Sequence, residues 1–447
     1  MNEVSIYKEA ILLNIYAWIG LMGILLLSSV PLFKKSQRSK GNILRFAVTT
    51  VIVLGVIFFV EVMGVSFILA IIAGCILLIL LDKKTYTKKR MMIYASLTLI
   101  IITVLYFLLK HNPEYTLNHL MKHPESSSLF VAMNDEEMIT YQSDIPRPLA
   151  SVVKIIVAIE YAYQIENGDL HKDATVPLET VNRYYIENTD GGGHQKWLEQ
   201  MEEAGQIEND KVKLRDIAKG MIAFSSNANT DYLIDVLGVE SINNRIDQLA
   251  LKDHDDVYPL VGALLALNEY KKEKKDTDWQ KELREMSDEN YKKEALIQSE
   301  KMKHKKITVA GVDLSVKEQR VWSDRMPKAS PATYGRLLHM ISREGFPSEI
   351  SHTLRDLMEW PMEMIPENKE HYRYIGAKGG STAFIYNQAM YFEDLSGNQM
   401  EFVLFMDDLS LWESMMLQFH SNSFIVEMVN NKQFRKKVQS TLQAYAK

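Results

Sequence analysis

Four apolar runs open this 447-residue chain, at about Ile11–Phe33, Phe46–Met63, Gly64–Leu81 and Met91–Leu109. A membrane-crossing helix needs about 20 mostly apolar residues, and four such runs in succession exceed any cleavable signal. Residues 1–110 therefore predict four transmembrane helices. Lys34, Lys35, Arg38, Lys40 and Arg45 crowd the first loop, and Lys83, Lys84, Lys88, Lys89 and Arg90 the third. Basic loops stay on the cytoplasmic side. The N-terminus and everything after Leu109 are then expected outside, in a multi-pass plasma-membrane protein with an extracytoplasmic C-terminal domain. Glu61 falls at the tip of a tight hairpin, where an interfacial turn charge is expected. No recurring charge within the spans points to transport.

Met1–Lys110 carries 12 Lys/Arg and 4 Asp/Glu, a net of +8, so the −6 of the whole chain leaves −14 for the remainder. An acidic domain of that kind is not expected to bind nucleic acid, which depends on Lys/Arg neutralising phosphates. The single cysteine, Cys75, lies in an apolar run and excludes an intrachain disulfide.

Residues 111–127 are expected as a polar tether, and 128–447 as the extracytoplasmic domain. Within it, Leu129–Ala132 and Met138–Tyr141 predict two short strands joined by an Asn134-Asp-Glu-Glu turn. An apolar helix follows from Ser151 to about Ile165. Further helices are expected at Lys196–Ala204, Lys213–Phe224, Asn229–Leu237, Val239–Leu251 and Ser330–Arg343. The densely charged stretch at about 270–306 predicts solvated helix or a mobile insertion and not core, and Ile307–Leu314 a short hairpin arm. Tyr374–Phe392 reads as strand, Met400–Met406 as another, and Leu411–Ala446 as helix. Strands, a helical block, strands and a final helix give an α+β class: an antiparallel sheet flanked by helices, plus an all-helical lobe.

Ser151 follows Pro146 and Pro148 and starts the apolar helix, with Lys154 three residues on and therefore on the same face. A serine hydroxyl needs a neighbouring base to become a nucleophile. A lysine serves once burial lowers its pKa, and Val152, Val153, Ile155 and Ile156 would supply that burial. The helix N-terminus offers backbone N–H groups for an oxyanion. Such a Ser-x-x-Lys is common by chance, and a helix cap followed by a surface lysine explains it alone. Two later motifs change that reading: Ser225-Ser-Asn227 between two helices, and Lys378-Gly-Gly380 on a strand.

In this order the three motifs resemble the penicillin-recognising serine hydrolases, the class A β-lactamases and their D,D-peptidase relatives. Pro148-Leu-Ala-Ser151, Gly191-Gly-Gly-His194 with Trp197, and Ser330-Pro-Ala-Thr333 strengthen the resemblance. It implies Ser151 as the acylated nucleophile, Lys154 as its base and Ser225 as a proton relay to the leaving nitrogen. Asn227 would hold the substrate's side-chain amide, and Lys378 its carboxylate. Gly379 and Gly380 would keep the strand edge open, and the N–H groups of Ser151 and Ser381 would form the oxyanion hole. The implied partners are a β-lactam or a peptidoglycan stem peptide, with a lipid bilayer around the spans and no cofactor.

The chain departs from the family at Ser226, where aspartate is more frequent, and at Gly379, where a hydroxyl residue is usual. No Glu-Pro-x-Leu-Asn loop is found. Tyr258 stands where its water-activating glutamate would be, and Glu269 and Glu273 are candidates only by proximity. The first expectation is a class A β-lactamase-like enzyme that hydrolyses or binds β-lactams; if the base is missing, acylation proceeds while deacylation is slow, and the alternatives are a D,D-peptidase-like peptidoglycan enzyme or a β-lactam or cell-wall sensor. No metal is expected: His194 has no partner His, Cys or paired carboxylate at ligand spacing. Trp197 and Tyr232 are expected in the core.

Overall fold

The computed structural model describes Thr50 and residues 111–445, apart from 188, 275–277, 305–311 and 313. Apart from Thr50, the four expected spans lie outside the described residues, as does most of the Ile307–Leu314 arm. No described helix is long and apolar enough to cross a membrane.

Five antiparallel strands form the sheet of the domain that begins at Asn112: β1 (Ser127–Met133), β2 (Glu136–Tyr141), β3 (Tyr372–Ser381), β4 (Tyr386–Asp394) and β5 (Gln399–Met406), in the order β2-β1-β5-β4-β3. The β1–β2 hairpin is the expected one. It turns at Asn134 and Asp135, whose φ of 50° and 70° are tolerated by Asn and Asp better than by other side chains. The stretch Tyr374–Phe392 is not one strand. It breaks into β3 and β4, and Thr382 N–H donates to the Ile385 carbonyl (3.1 Å) across the turn. No Gly, Pro, Asn or Asp occupies 382–385, so the turn carries no composition signal.

Eight helices matter to the site and its support: α1 (Pro113–Lys122), α2 (Lys154–Glu166), α3 (Leu214–Ala223), α4 (Asn227–Leu237), α5 (Leu260–Glu273), α6 (Pro331–Ser342), α7 (Leu411–Asn430) and α8 (Lys432–Tyr445). Helix α2 is apolar nearly all round, with Ile155, Ile156, Val157, Ala158 and Ile159 buried. That pattern marks a central helix, and α2 lies in the largest core cluster with residues of α3, α4 and α6. Helix α6 starts at the predicted cap: Ser330 Oγ accepts from Thr333 N–H, with Pro331 in the first turn. Trp197 and Tyr232 join the core as expected.

Residues 111–127 are not simply a polar tether. Helix α1 buries Leu117 and Leu120 in a second cluster with Leu417 and Phe424 of α7 and Val438 of α8. The charged insertion also differs from expectation. Trp279, Leu283, Tyr291, Ala295 and Met302 enter a third cluster or the main core, so charge density along the chain concealed one apolar helix face. The helix Asp288–Lys303 approaches α5 so closely that a Cβ at Gly262 would lie 2.3 Å from the Ala295 carbonyl oxygen. The C-terminal helix is broken by Asn431, which is extended.

Candidate active site

Ser151 lies in a 3-10 turn, Ala150–Val153, and the α-helix proper starts at Lys154. Ala150 immediately before it has φ 47°, a left-handed conformation that costs a non-glycine residue about 1 kcal/mol or more and is commonly kept for function. The turn is clamped on several sides. Leu149 N–H donates to the Pro327 carbonyl (2.9 Å), and Asn387 of β4, fully buried, donates through Nδ2 to the Pro148 carbonyl (2.8 Å). Arg147 pairs with Asp407 (2.7 Å) and donates to Ser128 Oγ (2.6 Å) and the Ser127 carbonyl (3.1 Å). Arg147, Asn387 and Asp407 are positioning residues that the sequence reading missed. The only signal was an arginine lodged between two prolines.

Ser225 joins α3 to α4 and is itself left-handed, φ 59°. Lys154, whose side chain is wholly buried, donates through Nζ to the Ser225 carbonyl (2.7 Å), to Asn227 Oδ1 (2.8 Å) and to Ser225 Oγ (3.3 Å). Lys378 from β3 donates to Ser225 Oγ (2.9 Å) and to the Gly379 carbonyl (2.8 Å). Three separate parts of the chain thus converge on one serine hydroxyl flanked by two lysines. Lys154 follows Ser151 by three residues, but its amine is bonded to the Ser225 turn and not to the Ser151 hydroxyl.

Burial lowers the Lys154 pKa to about 7, against the raising pull of Asp190 and Asp231. A neutral amine has two hydrogens and one lone pair. In that form the Ser225 carbonyl and Asn227 Oδ1 take the two hydrogens, and the lone pair can accept from a hydroxyl, the nearest being Ser225 Oγ–H. Asp231, on α4 one turn after Asn227, is fully buried and accepts N–H bonds from Leu260, Val261 and Gly262 (2.8, 2.9 and 3.1 Å). Burial raises its pKa to about 7 despite those donors. Asp190 accepts from the N–H groups of His194 (3.1 Å) and Asn227 (3.3 Å). The four-residue step from Asn227 to Asp231 was the available signal for Asp231.

The expected role of Asn227 is narrowed. Its Oδ1 accepts from Lys154 and its Nδ2 donates to the Thr189 carbonyl (3.2 Å), leaving one lone pair and one hydrogen for a substrate amide. Gly380 has a direct reason to be glycine: a Cβ there would sit 2.8 Å from Ser151 N and 2.7 Å from the Leu149 carbonyl oxygen. Strand β3 is an edge strand, so alternate backbone groups face away from the sheet, and Ser381 at its end is exposed. The geometry sets the end of β3 beside the Ser151 turn.

Tyr258 is buried in the third cluster and its hydroxyl donates to the Arg325 carbonyl. Glu269 pairs with Lys272 (2.7 Å), and Glu273 is exposed. Among the described residues no carboxylate bonds to Ser151 or directly to Lys154. His194 is structural, its Nδ1 against Ser226 Oγ (2.9 Å) and its Nε2 against Asn182 Oδ1 (2.8 Å).

Among solved structures the chain is similar to a beta-lactamase from Chitinophaga pinensis (15% identity, TM-score 0.44, covering 71% of this chain and 100% of that one). It is also similar to a class A beta-lactamase from Bacteroides cellulosilyticus (14%, TM-score 0.42, 75% and 100%) and to a protein named PBP-A (13%, TM-score 0.42, 75% and 96%). No curated protein matches. The model of the beta-lactamase enzyme family matches residues 114–414, more than half of the chain, and so the chain belongs to that family and is a serine hydrolase.

Proposed function

We propose that the protein is a membrane-anchored, extracytoplasmic acyltransferring hydrolase that β-lactams or D,D-peptides acylate on Ser151, and that releases the acyl group slowly. The observation that carries this reading is the chain of Lys154, Ser225 and Lys378. Ser151 Oγ attacks the acyl carbon as its proton passes to the neutral Lys154 amine. The carbon–nitrogen bond breaks, and the proton reaches the leaving nitrogen through Ser225 Oγ. Lys378 supplies the cation for a substrate carboxylate. The N–H groups of Ser151 and Ser381 hold the oxyanion, each worth about 3–4 kcal/mol. Gly379, with no hydroxyl, leaves that carboxylate dependent on Lys378 and the strand edge.

Hydrolysis of the ester needs an activated water. Tyr258, committed to the Arg325 carbonyl, is a hydroxyl whose pKa burial raises well above its ordinary value, which makes it unfit as a base. This supports a penicillin-binding, D,D-peptidase-like profile over an efficient β-lactamase. The four apolar runs and their basic loops support anchoring with the domain outside. Protease added to intact cells should then clip the domain.

The deciding experiment mixes the full-length chain with a labelled penicillin and follows intact mass with time, beside Ser151→Ala. A lasting one-to-one adduct on the wild type alone supports the proposal. Drug consumption without a lasting adduct means a working water-activating base. Neither adduct nor consumption sinks the lactam reading.

A further inference from the structure

The geometry points to a divalent transition-metal site, of the kind that takes zinc, between α1 and α7, built from His119, His123 and Glu413. One ligand atom from each lies within 4.8 Å of the others. The two histidines are four apart at the end of α1, and their rings stack at 4.5 Å, while Glu413 projects from the first turn of α7. His123 Nε2 stands 3.4 Å from Glu413 Oε1, close to the edge of a tetrahedron with bonds of about 2.1 Å. Two imidazoles and a carboxylate suit zinc and its neighbours, with a fourth position left to water.

An independent observation comes from His119. It is only 6% exposed, and its buried Nε2 has no hydrogen-bond partner among the described residues. A buried polar atom without a partner is costly, so an interior imidazole calls for one, and a metal ion supplies it.

The surroundings are arranged as for a ligand set. Glu413 Oε2 accepts from Ser410 N–H (2.8 Å) and Ser410 Oγ–H (2.6 Å), which pins the carboxylate with Oε1 towards the histidines. His123 is partly exposed and gives an ion a route in. The His119-x-x-x-His123 spacing is visible in the sequence, but its third ligand lies almost 300 positions away on a different helix. An ion here would clip the helix that starts the domain onto the helix near its end.

The test is zinc uptake by the purified full-length chain after chelator treatment, read as metal per chain by elemental analysis and as the zinc-induced rise in melting temperature. Expected are one zinc per chain and a rise of a few degrees, with both lost in His123→Ala and in Glu413→Gln. His123→Ala is decisive because that side chain is partly exposed and its removal leaves the core filled. No uptake by the wild type, or uptake and thermal shift undiminished in His123→Ala, overturns the site.

Discussion

Two regions next to Ser151 are built on opposite terms. On the acylation side, polar groups from α2, the α3–α4 turn and β3 meet within hydrogen-bond distance, around two residues, Ala150 and Ser225, in strained left-handed backbone. On the side of Tyr258, the same kind of buried polar group is used for construction: Asp231 caps α5 through three N–H bonds and Tyr258 anchors to Arg325. Around Ser151 the buried polar groups bond to one another, while around Tyr258 they bond to backbone that they hold in place. The comparison teaches that being buried and ionisable is not enough. Burial brings the pKa of both Lys154 and Asp231 to about 7, yet of the two only Lys154 lies within hydrogen-bond reach of the Ser225 hydroxyl.

The comparison can be broken most sharply at Lys154. Lys154→Met keeps the volume and removes the base, and acylation by labelled penicillin should slow by about 10²–10⁴-fold with the circular-dichroism spectrum unchanged. An unchanged rate would remove Lys154 from the chemistry. Gly380→Ala should cost about 10²–10³-fold in the same rate, because the new methyl group pushes β3 off the nucleophile turn and spoils one oxyanion donor. Full activity in that variant would show that the strand yields.

The pH profile comes next. The neutral Lys154 amine is the reactive form, so the acylation rate should rise about tenfold per pH unit below 7 and level off above it. A flat profile from pH 5 to 9 would contradict that. Linkage gives a related sign: between pH 7 and 10.5 the unfolded chain holds a proton that folded Lys154 has released, so this residue makes stability rise with pH across that window. The smallest effect is expected on the scaffold side. Tyr258→Phe should lower stability by about 1 kcal/mol through the lost hydrogen bond while leaving the acyl-enzyme lifetime within about twofold. A lifetime that changed tenfold would give Tyr258 a catalytic part.

Much was legible without coordinates because it is local. Turn residues at Asn134 and Asp135, the Ser330-Pro331 cap and the apolar α2 each report on a few neighbouring residues whose sterics or periodicity leave little choice. Ser151, Lys154, Ser225, Asn227, Lys378, Gly380 and Ser381 could be named from three short motifs, and the structure gathers them. The turn at 382–385 was not legible, because none of its side chains announces it. The apolar face of the charged insertion was hidden because composition averages over both faces of a helix.

By itself the sequence determined the α+β class, the order of the elements and the residue types available for acyl transfer, since these follow from backbone sterics, hydropathy period and side-chain chemistry. Tertiary structure alone decided that Lys154 bonds to the Ser225 turn, that Asp231 holds α5, that Gly380 rests against Ser151 and that His119 and His123 face Glu413. Each of those joins residues that are distant in the chain or turned towards each other by packing, and burial, which sets their pKa values, exists only once the core has closed around them.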